Sequence, residues 1–204
     1  AVKKALDKGI KVVVYDNNLP NSGISEFIGT DNHMAGVSIG KACVKYLHGK
    51  GNVLISVPTL ANDNFIARIN GFKKAIGDSP DIRIMQIEGT AGNVPERADA
   101  LVELLAEHPN VDCIVYMDYQ GSQIIEQVIQ RTSFSGKIIG FDKTDGAMKM
   151  LKSGVITSVI VQRPKIWGEL AVKRLNDLIH GKEVPAFEDA GTFEINQKNA
   201  ALYT

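Results

Sequence analysis

A repeated alternation of short apolar runs and amphipathic stretches constrains the fold of this chain more than any other feature. A run of β-branched residues ends in a polar residue, a loop follows, and an amphipathic stretch of ten to fifteen residues comes next. Strands that alternate with helices in this way form a parallel sheet through right-handed crossovers, with helices on both of its faces. The sequence therefore predicts an α/β fold with a doubly wound parallel sheet.

The predicted strands are mostly apolar on both faces, as strands covered by helices on both sides must be. They span residues 11–15, 26–30, 52–57, 82–87, 113–117, 137–141, 157–161 and 191–195. The predicted helices carry apolar residues at helical spacing. They span residues 32–48, 64–76, 94–108, 122–130, 145–153 and 167–180.

Composition excludes several classes of protein. Hydrophobic residues make up 44% and charged residues 23% of the 204 residues, as is usual for a globular chain that buries a core. The 23 Lys and Arg residues balance the 23 Asp and Glu residues, so the sequence lacks the basic excess of nucleic-acid binding proteins. The longest apolar runs fall far short of the roughly 20 residues that span a bilayer. We expect no nucleic-acid partner and no membrane insertion within this segment.

The cysteines and the beginning of the chain give two further expectations. Cys43 and Cys113 are too few for a disulfide scaffold, and we expect both to be buried free thiols. The first residues have the pattern of the last turns of a helix that ends at Gly9, so we expect the chain to be part of a longer protein.

Four predicted strands end in a carboxylate or an amide. The residues are Asp16 with Asn17, Asp118, Asp142 and Gln162. Ligands of open α/β sheets bind at the carboxyl ends of the strands, where these side chains would converge. Asp and Asn also favour turns and helix caps, so one such residue would indicate nothing. Four strand ends of this kind favour a polar site.

A basic residue complements these acceptors. Arg68 follows the polar loop 61–64 and lies in the first turns of a helix that Asn64 is predicted to cap. An arginine donates paired hydrogen bonds, and carboxylates and amides accept them from hydroxyl groups. The set suits a polyol or another small polar solute, although a solvent-facing Arg68 would fit the pattern as well.

The sequence gives little support for an enzyme. It contains no G-x-G-x-x-G after the first strand, no Walker loop, no H-E-x-x-H, no C-x-x-C pair and no G-x-S-x-G. Three of the four histidines lie close to predicted helix C-termini, where they complement the helix dipole. Asp118 and Asp142 remain as a candidate carboxylate pair for glycoside hydrolysis. We expect no catalysis, no cofactor and no metal.

Several motifs together resemble a known family. They are Gly9-Ile10-Lys11-Val12-Val13-Val14-Tyr15-Asp16, Ile28-Gly29-Thr30-Asp31-Asn32 with Ala35-Gly36, Arg68 before Asn70-Gly71-Phe72, His108-Pro109-Asn110-Val111-Asp112, Ile139-Gly140-Phe141-Asp142, Gln162-Arg163-Pro164 with Gly168, and Gly181-Lys182. In this order the chain resembles the type I periplasmic sugar-binding proteins, the ribose- and galactose-binding family. It is also similar to the effector domains of LacI-type repressors.

The resemblance implies a periplasmic-binding-protein type I fold, in which two Rossmann-like lobes joined by three crossovers close on a solute. It assigns residues 1–31 to the end of the N-terminal lobe, 32–161 to the C-terminal lobe, 162–190 to a segment that returns to the N-terminal lobe, and 191–204 to a final crossover and tail. The chain would then hold one complete lobe and part of a second. Because the opening βα units of the family are missing from this sequence, Trp167 is expected to be partly exposed.

The resemblance also assigns ligand contacts. They fall on Asp16, Asn17, Arg68, Asn93, Asp118, Asp142 and Gln162. Asn17 stands where ribose binders usually have arginine, and Asp118 stands where many have asparagine. Both changes make the predicted pocket less positive, which favours a neutral or amine-bearing solute over an acidic one.

The function that the resemblance implies is solute binding without catalysis. The protein would be extracytoplasmic, in the periplasm or as a lipoprotein at the cell surface, and would deliver a sugar to an ABC transporter or a membrane receptor. Hinges are expected near Asp31-Asn32 and Gln162-Arg163. The alternative is the effector domain of a LacI-type transcription regulator, which would be cytoplasmic and would need a helix-turn-helix upstream.

Overall fold

The structure is a computed structural model, and it describes residues 1–19, 21–24 and 26–203. Within these ranges the chain forms two compact units. Unit 1 comprises residues 1–31 and 162–192, and unit 2 comprises residues 32–161 and the residues from Phe193 onward. The chain therefore passes from one unit to the other after Asp31, after Val161 and after Thr192.

Strands and helices alternate along the chain, as the sequence predicts. The elements are α1 (Val2–Leu6), β1 (Val14–Tyr15), β2 (Phe27–Gly29), α2 (Asn32–Leu47), β3 (Lys50–Ser56), α3 (Asp63–Ile76), β4 (Asp81–Glu88), α4 (Val94–Glu107), β5 (Cys113–Tyr116), α5 (Gly121–Arg131), β6 (Lys137–Phe141), α6 (Asp145–Lys152), β7 (Ser158–Val161), α7 (Pro164–Ile179), β8 (Phe187–Asp189), β9 (Phe193–Asn196) and a 3-10 turn (Ala200–Tyr203).

Unit 2 is built on a sheet with the strand order β4-β3-β5-β6-β7-β9. Alternate residues of a strand point to opposite faces, and both faces of this sheet are buried. In β5, Cys113 and Val115 pack with α2 and α3, whereas Ile114 and Tyr116 pack with α4, α5 and α6. This two-sided core explains why the strands are apolar throughout.

The last strand of unit 2 departs from the prediction of a parallel sheet. β9 pairs with β7 in the antiparallel direction, whereas the other strand pairs of this sheet are parallel. Glu194 of β9 accepts hydrogen bonds from Tyr46 Oη at 2.7 Å and from Ser158 Oγ at 2.9 Å. The residues of a short strand specify extended structure but not its direction, which depends on the edge at which the chain enters the sheet.

Unit 1 contains a smaller sheet with the order β1-β2-β8, in which both pairs are parallel. Helix α7 packs against β1 and β2. Trp167 at the start of α7 is only 6% exposed, so the expectation of a partly exposed indole is wrong.

Several boundaries and caps differ from the predictions. Strand β1 begins at Val14 rather than at residue 11, and it lies at the edge of its sheet beside β2. Strand β8 was not predicted. Asn62 rather than Asn64 caps α3, and its side chain accepts the N–H of Asn64 at 2.8 Å. Cys43 and Cys113 are buried and free, as predicted.

Candidate functional site

Two adjacent parallel strands of unit 2 carry aspartates at their carboxyl ends. Asp118 follows β5 and Asp142 follows β6, so both lie at the same edge of the sheet. The phenol of Tyr116, at the end of β5, lies near the carboxylates of both Asp118 and Asp142. Burial raises the pKa of the Tyr116 phenol, and the negative charges of Asp142 and Asp118 raise it further. The structure therefore brings these two predicted site residues together.

Asp118 is held by a buried arginine that the sequence analysis missed. Arg97 Nη2 lies 2.6 Å from Asp118 Oδ2, and Arg97 Nη1 lies 3.2 Å from Asp118 Oδ1. The side chains are 2% and 5% exposed, so the pair is almost fully removed from solvent. The backbone N–H of Gln120 donates to Asp118 Oδ1 at 2.8 Å. The charge of Asp118 is thus compensated within unit 2 by Arg97.

A signal for Arg97 is present in the sequence. Arg97 lies three residues after Val94 and four before Leu101, on the apolar stripe of α4. A charged residue on such a stripe faces the core and needs a partner there. The sequence does not say which residue is the partner, because Asp118 belongs to a different element.

Arg68 is buried rather than solvent-facing. Its Nε donates to Asn32 Oδ1 at 2.7 Å, and its Nη1 donates to the carbonyl oxygen of Met117 at 2.6 Å. Its guanidinium carbon lies 4.0 Å from the centre of the Phe141 ring, within the range of a cation–π interaction. Arg68 therefore joins α3 to the ends of β5 and β6, next to Asp118 and Asp142.

The close approach of α2 and α3 sets the position of Arg68. A Cβ atom on Gly36 would lie 2.0 Å from the carbonyl oxygen of Arg68, and one on Gly71 would lie 2.0 Å from the carbonyl oxygen of His33. Both distances are far shorter than real contacts. The two helices can pack at this separation only because both positions are glycine, which brings Asn32 within reach of Arg68.

Asp142 in unit 2 and Asp16 in unit 1 share a local geometry. Each follows a strand, donates its backbone N–H to the neighbouring strand, and then turns with a positive φ. The N–H of Asp142 donates to the carbonyl of Ile160 at 2.9 Å, and that of Asp16 donates to Ile28 at 3.0 Å. Their φ values are 73° and 68°, a region that Asp tolerates better than most residues.

The remaining predicted site residues lie in three places. Asn17, next to Asp16 in unit 1, is exposed, and its amide donates to Asp16 Oδ2 at 3.1 Å. Gln162 follows β7, is half-buried and belongs to unit 1. Asn93 caps α4 in a capping box, in which its side chain accepts the N–H of Glu96 at 3.0 Å. The structure therefore gives Asn93 a role in the helix, whatever its role toward a ligand.

Two surface depressions of unit 2 lie at the opposite, amino edge of its sheet. One has a volume of about 530 Å³ and is lined by residues that include Lys50, Asp81 and Asp112. The other has a volume of about 300 Å³ and is lined by residues that include Lys137 and Thr157. Neither contains a predicted site residue.

The carboxyl edge of unit 2 offers hydrogen-bond acceptors, guanidinium groups and an aromatic ring within a small region. Among the residues that the structure describes, no group of three or more His, Cys, Asp or Glu side chains could hold a metal ion. No helix in the same part of the chain is long and apolar enough to cross a membrane. Fold and site together define an α/β protein whose polar side chains meet at the carboxyl ends of its strands, the edge at which open α/β sheets bind ligands.

Comparison with protein families identifies the class more closely. Residues 1–183 match the model of the periplasmic binding protein domain, and the chain belongs to this family. The family and its import binding proteins indicate an extracytoplasmic location.

Characterised relatives are similar over most of the chain. The ribose import binding protein RbsB of Haemophilus influenzae is 24% identical over 91% of the chain, and the D-xylose-binding periplasmic protein of Escherichia coli is 25% identical over 91%. The chain covers 63% and 58% of these two relatives, so it spans less than two thirds of their length.

Solved structures share the fold. An ABC transporter solute-binding protein from Burkholderia graminis, solved in complex with D-arabinose, is 34% identical and superposes with a TM-score of 0.90. That comparison covers 100% of this chain and 72% of the other. GanP, a glucose-galactose binding protein from Geobacillus stearothermophilus, is 29% identical with a TM-score of 0.90, over 97% of this chain and 71% of the other. The prediction of a type I periplasmic-binding-protein fold is thereby confirmed.

Proposed function

We propose that the protein binds a monosaccharide or a similar small polyol and delivers it to an ABC transporter or a membrane receptor without changing it chemically. The observation that carries the proposal is the carboxyl edge of unit 2, where Arg68, Asp118 and Asp142 lie together. Hydroxyl groups can donate to carboxylates and accept from guanidinium groups, so this set matches a polyol. The names of the relatives, which bind ribose and xylose, support the same class of ligand.

The other predicted site residues are proposed as ligand contacts as well. They are Asp16, Asn17, Asn93 and Gln162. The shared turn geometry of Asp16 and Asp142 supports this assignment, because it places a carboxylate at a strand end in each unit.

The proposed mechanism is a hinge motion that the ligand stabilises. Three chain passages join the units, after Asp31, after Val161 and after Thr192. A ligand that binds the closed arrangement more tightly than the open one shifts the population toward closure. A permease or receptor then distinguishes the loaded protein from the empty one by its shape.

The place of action is proposed to be the periplasm or the outer cell surface, where import binding proteins capture solutes. The relatives are named as import and binding proteins, which favours this role over the effector domain of a transcription regulator. It also favours binding over glycoside hydrolysis by Asp118 and Asp142. The tight pairing of Asp118 with Arg97 further opposes a role for Asp118 as a general acid.

A thermal-shift screen of the full-length protein tests the proposal. The panel contains D-ribose, D-xylose, D-arabinose, D-allose, D-galactose and xylitol. A ligand at one hundred times its Kd stabilises the folded protein by about 2.7 kcal/mol, which gives a clear rise in Tm. We expect at least one member of the panel to raise the Tm and to be recovered unchanged by NMR after incubation.

Variants locate the site within the same screen. We expect Asp142→Ala and Arg68→Ala to abolish the ligand-dependent rise, and Asp99→Ala, which removes an exposed carboxylate of α4, to leave it intact. The proposal is wrong if no member of the panel shifts the Tm of the wild-type protein, or if the sugar is consumed. The site assignment is wrong if both site variants keep the full shift.

A further inference from the structure

Arg97 is buried to a degree that requires a specific reason. A buried guanidinium is costly unless an acceptor compensates it. The described acceptors of Arg97 are Asp118 and, at 3.5 Å, the side-chain oxygen of Gln120. Both belong to the segment that follows β5, so the guanidinium of α4 is directed at the carboxyl edge of the sheet.

The described hydrogen bonds of Asp118 do not use all of the acceptor positions of its carboxylate. A carboxylate offers about four acceptor positions, two on each oxygen. Oδ1 accepts from Arg97 Nη1 and from the N–H of Gln120, and Oδ2 accepts from Arg97 Nη2. Within the described part of the chain, Asp118 therefore keeps room for about one more donor, on Oδ2.

The charges around this position offer a cation no net attraction. Arg97 compensates Asp118, and Arg68 donates to the carbonyl of the preceding residue, Met117. Two guanidinium groups thus bind consecutive residues at the end of β5. Asp142, at the end of the neighbouring strand, balances the second guanidinium. An ammonium group at Oδ2 would therefore gain no net attraction to offset its loss of hydration, whereas a hydroxyl would donate its proton without that cost.

The geometry points to Arg97 as a positioning residue that fixes Asp118 as a charge-compensated acceptor for a single ligand hydroxyl, so that this part of the site selects uncharged polyols over amines. The inference rests on the proposed function and adds to it a residue and a basis for specificity. The Arg97–Asp118 pair acts as one unit, because the fork of the guanidinium holds both oxygens of the carboxylate.

A double-mutant cycle on the full-length protein tests the inference. Isothermal titration calorimetry measures the Kd of the sugar that binds tightest in the thermal-shift panel, for wild type, R97Q, D118N and R97Q/D118N. We expect R97Q to weaken binding by about tenfold or more in the wild-type background, the equivalent of one well-made hydrogen bond. In the D118N background we expect less than about a threefold effect, because no carboxylate then remains to be oriented or compensated.

The relative affinity for the sugar and for its amine analogues distinguishes a role of Arg97 in specificity from a purely structural role, which would leave this ratio unchanged. In each analogue one hydroxyl is replaced by an amine. We expect wild type to reject the amine at one ring position by about tenfold or more, and R97Q to lose that discrimination, because the uncompensated charge of Asp118 then attracts the cation.

Two further variants guard against misfolding and non-specific effects. R97K keeps the charge but not the fork, and we expect it to fold and to bind about tenfold more weakly than wild type. R131Q removes the arginine of an exposed pair with Asp99 on the same helix, and we expect unchanged binding. The inference is wrong if R97Q and R97K both bind the sugar with wild-type affinity. It is also wrong if R97Q weakens binding equally in the wild-type and D118N backgrounds. The proposed function stands in either case. A wild-type protein that binds no sugar overturns both.

Discussion

Arg97 in unit 2 and Arg174 in unit 1 are both almost fully buried and both pair with a carboxylate, but the two carboxylates differ in exposure. In unit 2, Arg97 pairs with Asp118, which is 5% exposed. In unit 1, Arg174 of α7 pairs with Glu188 of β8, which is 37% exposed, and also donates to the carbonyl of Pro185. Arg97 thus compensates a charge at the edge where ligands of this fold bind, whereas Arg174 fastens a strand to a helix. A buried arginine therefore does not by itself indicate a ligand site. Arg97 differs from Arg174 because its carboxylate partner is also buried and lies at the carboxyl edge of the sheet.

Removal of Arg97 is expected to have the largest effect on stability. R97M leaves the carboxylate of Asp118 buried without its cation, and we expect a loss of about 3–5 kcal/mol in the free energy of unfolding. Urea denaturation at pH 7 measures the loss. R97M/D118N should recover most of it, and a loss in R97M that D118N does not relieve would show that packing rather than charge dominates.

Removal of Arg174 should cost less. In R174M, Glu188 can turn its charge to solvent, so the main loss is the hydrogen bonds to Glu188 and Pro185, and we expect about 1–3 kcal/mol. The same urea titration applies, and hydrogen exchange at Phe187–Asp189 should rise with it because β8 loses its tie to α7. An effect as large as that of R97M would remove the distinction between the two arginines.

Glu194 is a partly buried carboxylate whose described donors are Tyr46, Ser158, Asn196 and Lys45 rather than an arginine. Burial raises the pKa of the Glu194 carboxyl, but hydrogen bonds from Tyr46, Ser158, Asn196 and Lys45 outweigh it, so the pKa lies below its ordinary value. A lowered pKa adds stability above the unfolded-state value of 4.5, and this stability is lost as the pH falls through the folded-state value.

We therefore expect E194Q to be less stable than wild type by about 1 kcal/mol at pH 7. The difference should shrink as the pH falls below the ordinary glutamate value. Urea midpoints of both proteins between pH 7 and pH 3 measure it, and a difference that stays constant over this range would contradict the assignment.

The exposed pair of Arg131 and Asp99 gives the smallest expected effect. Their atoms lie 2.7 Å apart, but the side chains are 42% and 57% exposed. Solvent screens such a pair, and R131Q should change the free energy of unfolding by less than about 1 kcal/mol at low salt. Added salt should reduce that effect further, and a loss near that of R97M would show that burial does not rank these pairs.

The two units also differ in how well the sequence predicts their elements. The strands of unit 2 are covered on both faces, so they appear as uninterrupted apolar runs such as Ile138-Ile139. Strand β8 of unit 1 is Phe187-Glu188-Asp189, with two acidic residues and no β-branched residue, and it gives no such signal. It pairs with β2, and Arg174 holds it, so its strand state depends on contacts between elements far apart in the sequence.

The site shows the same limit. Asp118 and Asp142 are predictable as neighbours because each directly follows a strand, and parallel strands share a carboxyl edge. The partners that orient the site are not predictable, because Arg68 reaches Asn32 of α2 and Met117 after β5, and Arg97 reaches Asp118 from α4. The ligand roles of the predicted site residues remain predictions.

The antiparallel strand β9 has a consequence for the order of events during biosynthesis. Its residues, Phe193–Asn196, are separated from β7 in the sequence by the whole returning segment of unit 1, yet they close one edge of the unit 2 sheet. A nascent chain that has left the ribosome only as far as residue 192 has an uncovered β7 edge, which is a template for intermolecular pairing. The larger unit therefore finishes folding only after residue 196 has left the ribosome, and a chain that stops before β9 would expose this edge in a unit that already has most of its residues.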